Sequence, residues 1–216
     1  MNRRLIIFDF DGTLADTLGW AAGEMTRIAA TYRTRDIGPD EHDRLRTLHP
    51  SEIIDALGIS SWKLPLITWD MRRSMRRDID RLKLFPGIAG ALRTLSDAGA
   101  DLAILSSNSE RNVRSVLGSD LALLIRHYQC GVSFFGKAGK LKRLLRKTGT
   151  DPADACFIGD ELRDLEAARA AGIAFGAVSW GLNSKETFER QSPVWVFTRP
   201  EEICPEGLAG CEHQGP

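Results

Sequence analysis

Leu5-Ile6-Ile7-Phe8-Asp9-Phe10-Asp11-Gly12-Thr13-Leu14 is the stretch on which the reading of this chain turns. Four consecutive apolar residues predict a strand buried on both faces, as in a parallel sheet. Two carboxylates follow where such a strand ends, and Gly12 can turn the chain. Side chains two apart on a strand share a side. A strand continuing through Asp11 would therefore put Asp9 and Asp11 in one crevice. Carboxylates that close raise each other's pKa unless a cation sits between them. Mg2+ suits the gap, being a hard cation that takes oxygen ligands. One carboxylate can then attack as a nucleophile while the other moves a proton. Taken alone, D-x-D-G also reads as an acidic turn after an edge strand.

Beyond Thr13 the rhythm changes. Residues 16–32 are rich in Ala, lack Pro and predict a helix. Gly38-Pro39 breaks the chain, and two further helical runs follow over 52–57 and 64–82. Phe85-Pro86-Gly87 is the next break. Residues 16–84 thus read as an all-helical insertion into a domain made of residues 1–15 and 85–216. From residue 88 helix and strand alternate. Helices are predicted over 88–98, 109–117, 137–147 and 161–171, and strands over 102–105, 128–132, 155–158, 173–178 and 194–197. Such alternation implies βαβ units and an α/β fold with a doubly wound parallel sheet. Ligands bind such sheets outside the carboxyl ends of the strands. The residues after Pro200 show little periodicity and are expected to be loosely held.

Composition narrows the class. A chain of 216 residues has room for one core domain and a smaller insertion. Its formal net charge is zero and its pI about 6.9, without the basic excess of a nucleic-acid footprint. No apolar run reaches the roughly 18 residues of a membrane span. The apolar run behind Met1-Asn2-Arg3-Arg4 ends at Asp9, too short for a secretory signal. Cys130, Cys156, Cys204 and Cys211 have no C-x-x-C or metal-site spacing. The expectation is a cytoplasmic protein with reduced thiols, monomeric or a weak homodimer.

Three more clusters lie at predicted strand ends or helix starts. Ser106-Ser107-Asn108-Ser109 follows the strand 102–105; hydroxyls and amides before a helix start can hold phosphate oxygens. They can equally cap the helix, Ser109 above all. Lys137 opens a helix, where a cation opposes the helix dipole and so calls for a nearby anion. A solvated surface lysine is the plain alternative. In Gly159-Asp160-Glu161-Leu162-Arg163-Asp164, Asp160 can cap the coming helix and Asp164 lies one turn on, on the same face.

Together these clusters resemble the four motifs of the haloacid dehalogenase-like superfamily, in its order. The ten-residue opening matches the first motif, D-x-D-G-T-[LV]. Ser107-Asn108 fits the second in its best register, with Ser106 the neighbouring choice. Lys137 matches the third, with Lys140 as the alternative, and G-D-x-x-x-D the fourth. The match covers roughly residues 1–15 and 85–180. The helical insertion lies where that family carries its C1-type cap, and Gly159–Asp164 with Ser179-Trp180-Gly181 resembles its phosphoglycolate-phosphatase-like branch. The resemblance implies a Rossmann-like core and a Mg2+-dependent phosphatase acting on a small phosphorylated metabolite through an aspartyl-phosphate. It makes Asp9 the nucleophile, Asp11 the general acid/base, and Ser107 and Lys137 further catalytic residues. Gly12, Thr13 and Asn108 would bind substrate. Asp9, Asp11, Asp160 and Asp164 would serve the metal, Asp160 directly and Asp164 through water or by orienting Lys137. An acid at position 11 fits an ester leaving group, which needs a proton. A phosphomutase uses the same residues and is the alternative; a non-catalytic phospho-ligand-binding protein is the rival from another class. For the cap, Arg72, Arg73, Arg76, Arg77 and Arg81 read as a mixed-charge solvated face from which one arginine could grip a second anionic group. His49 is a further cap candidate, and Trp62 and Trp69 are expected to pack the cap's own core.

Overall fold

The computed structural model describes residues 5–36, 38, 41–131 and 136–208. The chain runs β1 (Leu5–Phe8), α1 (Leu18–Tyr32), α2 (His42–Leu45), α3 (Pro50–Ala56), α4 (Leu64–Arg77), α5 (Ile88–Asp97), β2 (Asp101–Leu105), α6 (Glu110–Leu124) and β3 (Ile125–Gln129). It continues through α7 (Lys137–Thr148), β4 (Ala155–Gly159), α8 (Leu162–Ala171), β5 (Ala174–Val178), α9 (Lys185–Glu189) and β6 (Trp195–Phe197). The six strands form one sheet in the order β3-β2-β1-β4-β5-β6, every pair parallel. Strand order reverses beside β1. The chain lays β2 and β3 on one flank, then returns to lay β4 on the other, which opens a crevice at the carboxyl ends of β1 and β4.

Why the apolar runs are continuous is now plain. Ile6 and Phe8 point to one face and pack with Leu92 and Leu95 of α5 and Val113 of α6. Leu5 and Ile7 point to the other and pack with Leu141 and Leu144 of α7 and Leu165 of α8. Each such side chain contributes about 1.5–3 kcal/mol when fully buried. The helices between β1 and β2 gather instead around a small separate cluster of Ile28, Leu57, Ile59 and Ile67.

Register sets the site. Phe8 lies level with Ile104 of β2 and Ile158 of β4, so Asp9, Ser106 and Asp160 emerge at the same end of the sheet. The first strand stops at Phe8 rather than running through Asp11. Leu14 and Ala15 both donate their N–H to the Phe10 carbonyl, closing a tight loop in which Gly12 has φ +77°.

Other expectations shift. β3 begins at Ile125, three residues ahead of the expected start, because the chain kinks at Gly118 (φ 72°, ψ 170°) and then resumes helix up to the strand. Val132 lies outside the described residues. α4 ends at Arg77, and a short 3-10 turn covers Ile79–Arg81. Residues after Pro200 are held more firmly than expected: Ile203 and Leu208 are buried in the sheet's core. Cys211 and the rest of 209–216 lie outside the described residues. Trp62 and Trp69 do not pack the helical cluster; they are 69% and 58% exposed. α4 turns Ile67 and Met71 inward, which puts Trp69 on the outer face, under the Arg73 guanidinium. No disulfide joins Cys130, Cys156 and Cys204. Among the described residues no helix is long and apolar enough to cross a membrane.

Candidate active site

Asp9 is the first residue past β1. Its N–H still donates to the Ile158 carbonyl (2.8 Å), extending the ladder by one bond and fixing the side chain at the crevice. Oδ1 accepts the Phe10 N–H at 2.7 Å. Oδ2 accepts Lys137 Nζ at 2.6 Å, and the same Nζ donates to Asp164 Oδ1 at 2.5 Å. All three side chains are nearly sealed from solvent. Burial works against the ammonium, but Asp164 and then Asp9 outweigh it and push its pKa up. Asp164 is raised, chiefly by burial, with Lys137 recovering part. Lys137 thus meets the anions that its place at a helix start called for, Asp9 and Asp164.

Asp160 follows β4 directly. Thr13 Oγ1 donates to its Oδ1 (2.8 Å) and the Leu182 N–H to its Oδ2 (2.8 Å). Two glycines let the backbone close around it: a Cβ on Gly12 would lie 2.2 Å from Asp160 Oδ2, and one on Gly181 would lie 2.1 Å from Asp160 Cβ. Asp160 does not cap α8. Glu161 holds the cap position, and Asn183 Oδ1 accepts the Leu162 N–H. Burial, then Glu161, Asp9 and Asp164, raise Asp160 well above the usual carboxylate range. Asp9, Asp160 and Asp164 each bring one oxygen within 4.8 Å of the others. Lys137 bonds two of these three buried carboxylates, Asp9 and Asp164, and Asp164 Oδ2 has no hydrogen-bond partner. The donor set is hard, anionic and short of positive charge, which fits a divalent cation such as Mg2+.

Asp11, expected at the metal, stands outside this cluster. Its carboxylate faces Asn108, whose Nδ2 lies 3.2 Å from each oxygen. Burial and then Asp9 push Asp11 up to about 7, against Asn108, Thr17 and Lys137. Asn108 is oriented in turn, its Oδ1 accepting from the Ser109 N–H and from Asn112 Nδ2. Ser106 is buried and accepts the Asn108 N–H, whereas Ser107 lines the crevice. Ser109 also caps α6, so this loop serves both readings of its sequence. Gly12 and Thr13, expected at the substrate, are not among the lining residues; Thr13 is fully buried against Asp160.

The crevice has a volume of about 280 Å3. Its sheet side carries Asp9, Asp11, Ser107, Asn108 and Asp160. Its other side comes from α1 (Leu18, Trp20, Ala21) and from α4 (Thr68, Met71, Arg72, Met75). Sequence reasoning passed over Arg163, which lines the crevice and pairs with Glu161, and Asn183, which clasps the carbonyls of Arg46 and Leu48. Arg163 stood inside a noted motif; no local signal marked Asn183. His49 lies off the crevice, capping α3 with its Nε2 3.1 Å from Glu166.

The sequence pattern of the haloacid dehalogenase-like hydrolases matches residues 6–178. A phosphoglycolate phosphatase of Synechococcus elongatus is 33% identical over 199 residues, covering 92% of this chain and 94% of that protein. A solved structure from Lactobacillus plantarum, described as a candidate phosphoglycolate phosphatase, has a TM-score of 0.78 at 23% identity, covering 94% of this chain and 98% of its own. Another from Thermotoga maritima, described as a candidate β-phosphoglucomutase, has a TM-score of 0.63 at 24% identity, covering 93% and 96%. Both structural likenesses concern the fold. The chain is a hydrolase of the haloacid dehalogenase-like family.

Proposed function

We propose that this hydrolase is a Mg2+-dependent phosphatase of small phosphate monoesters resembling 2-phosphoglycolate, working through an aspartyl-phosphate. One observation carries the reading. A buried carboxylate, Asp9, opens on a crevice with a lysine ammonium on one oxygen, and beside it Asp11 is poised near neutral pH. Asp9 attacks phosphorus in line, and Asp11 gives its proton to the departing alcohol. Asp11 then takes a proton from the water that hydrolyses the aspartyl-phosphate. Lys137 and Ser107 hold charge on the phosphoryl oxygens. Asp9, Asp160 and Asp164 would hold the ion, which supplies positive charge at the transferring group. Gly12 and Thr13 act by shaping and holding Asp160. Residues 16–84 form the cap, whose α1 and α4 close the crevice against water. The phosphoglycolate phosphatase relative supports the monoester class. A phosphomutase would return the phosphoryl group to a sugar, and the fold likeness to one candidate mutase does not favour it.

The test is phosphate release from a panel of small monoesters, including 2-phosphoglycolate and p-nitrophenyl phosphate, with and without EDTA. EDTA-sensitive release that Asp9→Asn abolishes, with its circular dichroism unchanged, is the expected result. Release that persists in Asp9→Asn refutes the nucleophile. A trapped aspartyl-phosphate with no net release would mean a mutase.

A further inference from the structure

We infer that Arg72 reads a carboxylate on the substrate and so selects phosphate esters that carry one over those that do not; this rests on the phosphatase reading above. α4 presents Thr68, Met71, Arg72 and Met75 to the crevice, spaced as one helical face. Of the five arginines between residues 72 and 81, Arg72 alone lines it. The others are spent elsewhere: Arg73 stacks on Trp69, Arg76 donates to Ser115, Arg77 donates to Ser74, and Arg81 is exposed. Arg72 Nε is shut off from solvent and has no hydrogen-bond partner. A buried guanidinium donor left unmade is costly, and native proteins rarely keep one without use.

The residue is also held in place. Asn112 Nδ2 donates to the Arg72 carbonyl (3.0 Å), and Asn112 in turn braces Asn108, the partner of Asp11. The α4 backbone at Arg72 is therefore registered against the residues that brace Asp11. Arg163 also lines the crevice, but Glu161 engages it. Among the described residues that line the crevice, Arg72 is thus the arginine with no acidic partner. A guanidinium offers paired N–H groups to two oxygens, the geometry that a carboxylate fits.

The experiment separates this from the phosphatase reading. Binding of 2-phosphoglycolate and of 2-hydroxyethyl phosphate, which has a hydroxymethyl group in place of the carboxylate, is measured by calorimetry in an Asp9→Asn background. Arg72, Arg72→Met and Arg72→Lys are compared; turnover of both esters is measured separately with Asp9 intact. We expect Arg72→Met to weaken 2-phosphoglycolate about tenfold to a hundredfold more than its hydroxyl analogue, with Arg72→Lys between. In turnover the loss should lie in KM rather than kcat. Equal weakening of both esters in Arg72→Met means a structural role and overturns the inference. So does an unchanged preference, absence of 2-phosphoglycolate binding, or tighter binding of ethylene glycol bisphosphate than of 2-phosphoglycolate. Selective binding without turnover would instead uphold Arg72 and refute the phosphatase reading.

Discussion

Replacing Lys137 by Met removes an ammonium and keeps much of its length. The ion sits 2.6 Å from Asp9 Oδ2 and 2.5 Å from Asp164 Oδ1. At an effective dielectric constant of about 20, each contact is worth about 6 kcal/mol of attraction. Desolvating the ammonium offsets much of that sum. The net effect of removing one partner from a buried ion pair is about 3–5 kcal/mol, because the remaining charges stay uncompensated. For a chain of this size each kcal/mol moves Tm by about 2–4 °C, so a fall of about 10 °C is expected. The loss should grow with pH. Below neutrality one of the stranded carboxylates relieves the repulsion by taking a proton; at higher pH that proton is harder to obtain. The assay is urea unfolding followed by tryptophan fluorescence, in EDTA, at pH 6 and pH 8. Lys140→Met is the control and should stay within about 0.5 kcal/mol of the parent. A Lys137→Met loss below about 1 kcal/mol, or one matched by Lys140→Met, would refute the account of a buried Asp9–Lys137–Asp164 triad as a strong electrostatic unit.

Three other outcomes follow from the same geometry. Asp160→Ala should raise the Mg2+ concentration for half-maximal phosphate release by about tenfold or more, and an unchanged Mg2+ titration would remove Asp160 from the ion's ligands. Gly181→Ala drives a methyl group against Asp160, whose Cβ would lie 2.1 Å away; about 1–3 kcal/mol of destabilisation, together with a weaker Mg2+ response, is expected in thermal melts and titrations. In EDTA, stability should fall as pH rises from about 4 to about 7. Folded Asp11, pushed up to about 7 from 3.8, keeps a proton that the unfolded chain has released, so its contribution is full below the lower value and lost through the upper one. Asp11→Asn should flatten that slope, and an unaltered slope would show that Asp11 titrates normally.

Local chemistry made much of this legible. The run Leu5–Phe8 is apolar at every position because helices cover both faces of its strand, and such a run has few other homes. Lys137 at a helix start signalled an anion because a cation there opposes the dipole. Expectations failed where a residue's surroundings, rather than its own character, decide its fate. Trp62 and Trp69 were assigned to a core by hydrophobicity, but α4 turns Ile67 and Met71 inward and Trp69 out, and Trp62, in the turn before α4, is exposed as well. The Thr13 hydroxyl meets Asp160, a residue 147 positions away, a contact that no local signal announces. The tail looked loose because periodicity does not reveal two isolated anchors, Ile203 and Leu208.

The sequence by itself determined the parallel α/β class, the run of helices between β1 and β2 and the acidic strand ends, since hydrophobic period and turn residues act over short range. Tertiary structure alone decided which charges meet. Asp9, Lys137 and Asp164 are brought together by strand order and register, not by spacing. The same holds for the choice of Arg72 among five arginines. Both depend on which face an element turns toward its neighbours, and the free energy of that choice is spread over the whole core rather than carried in any one segment.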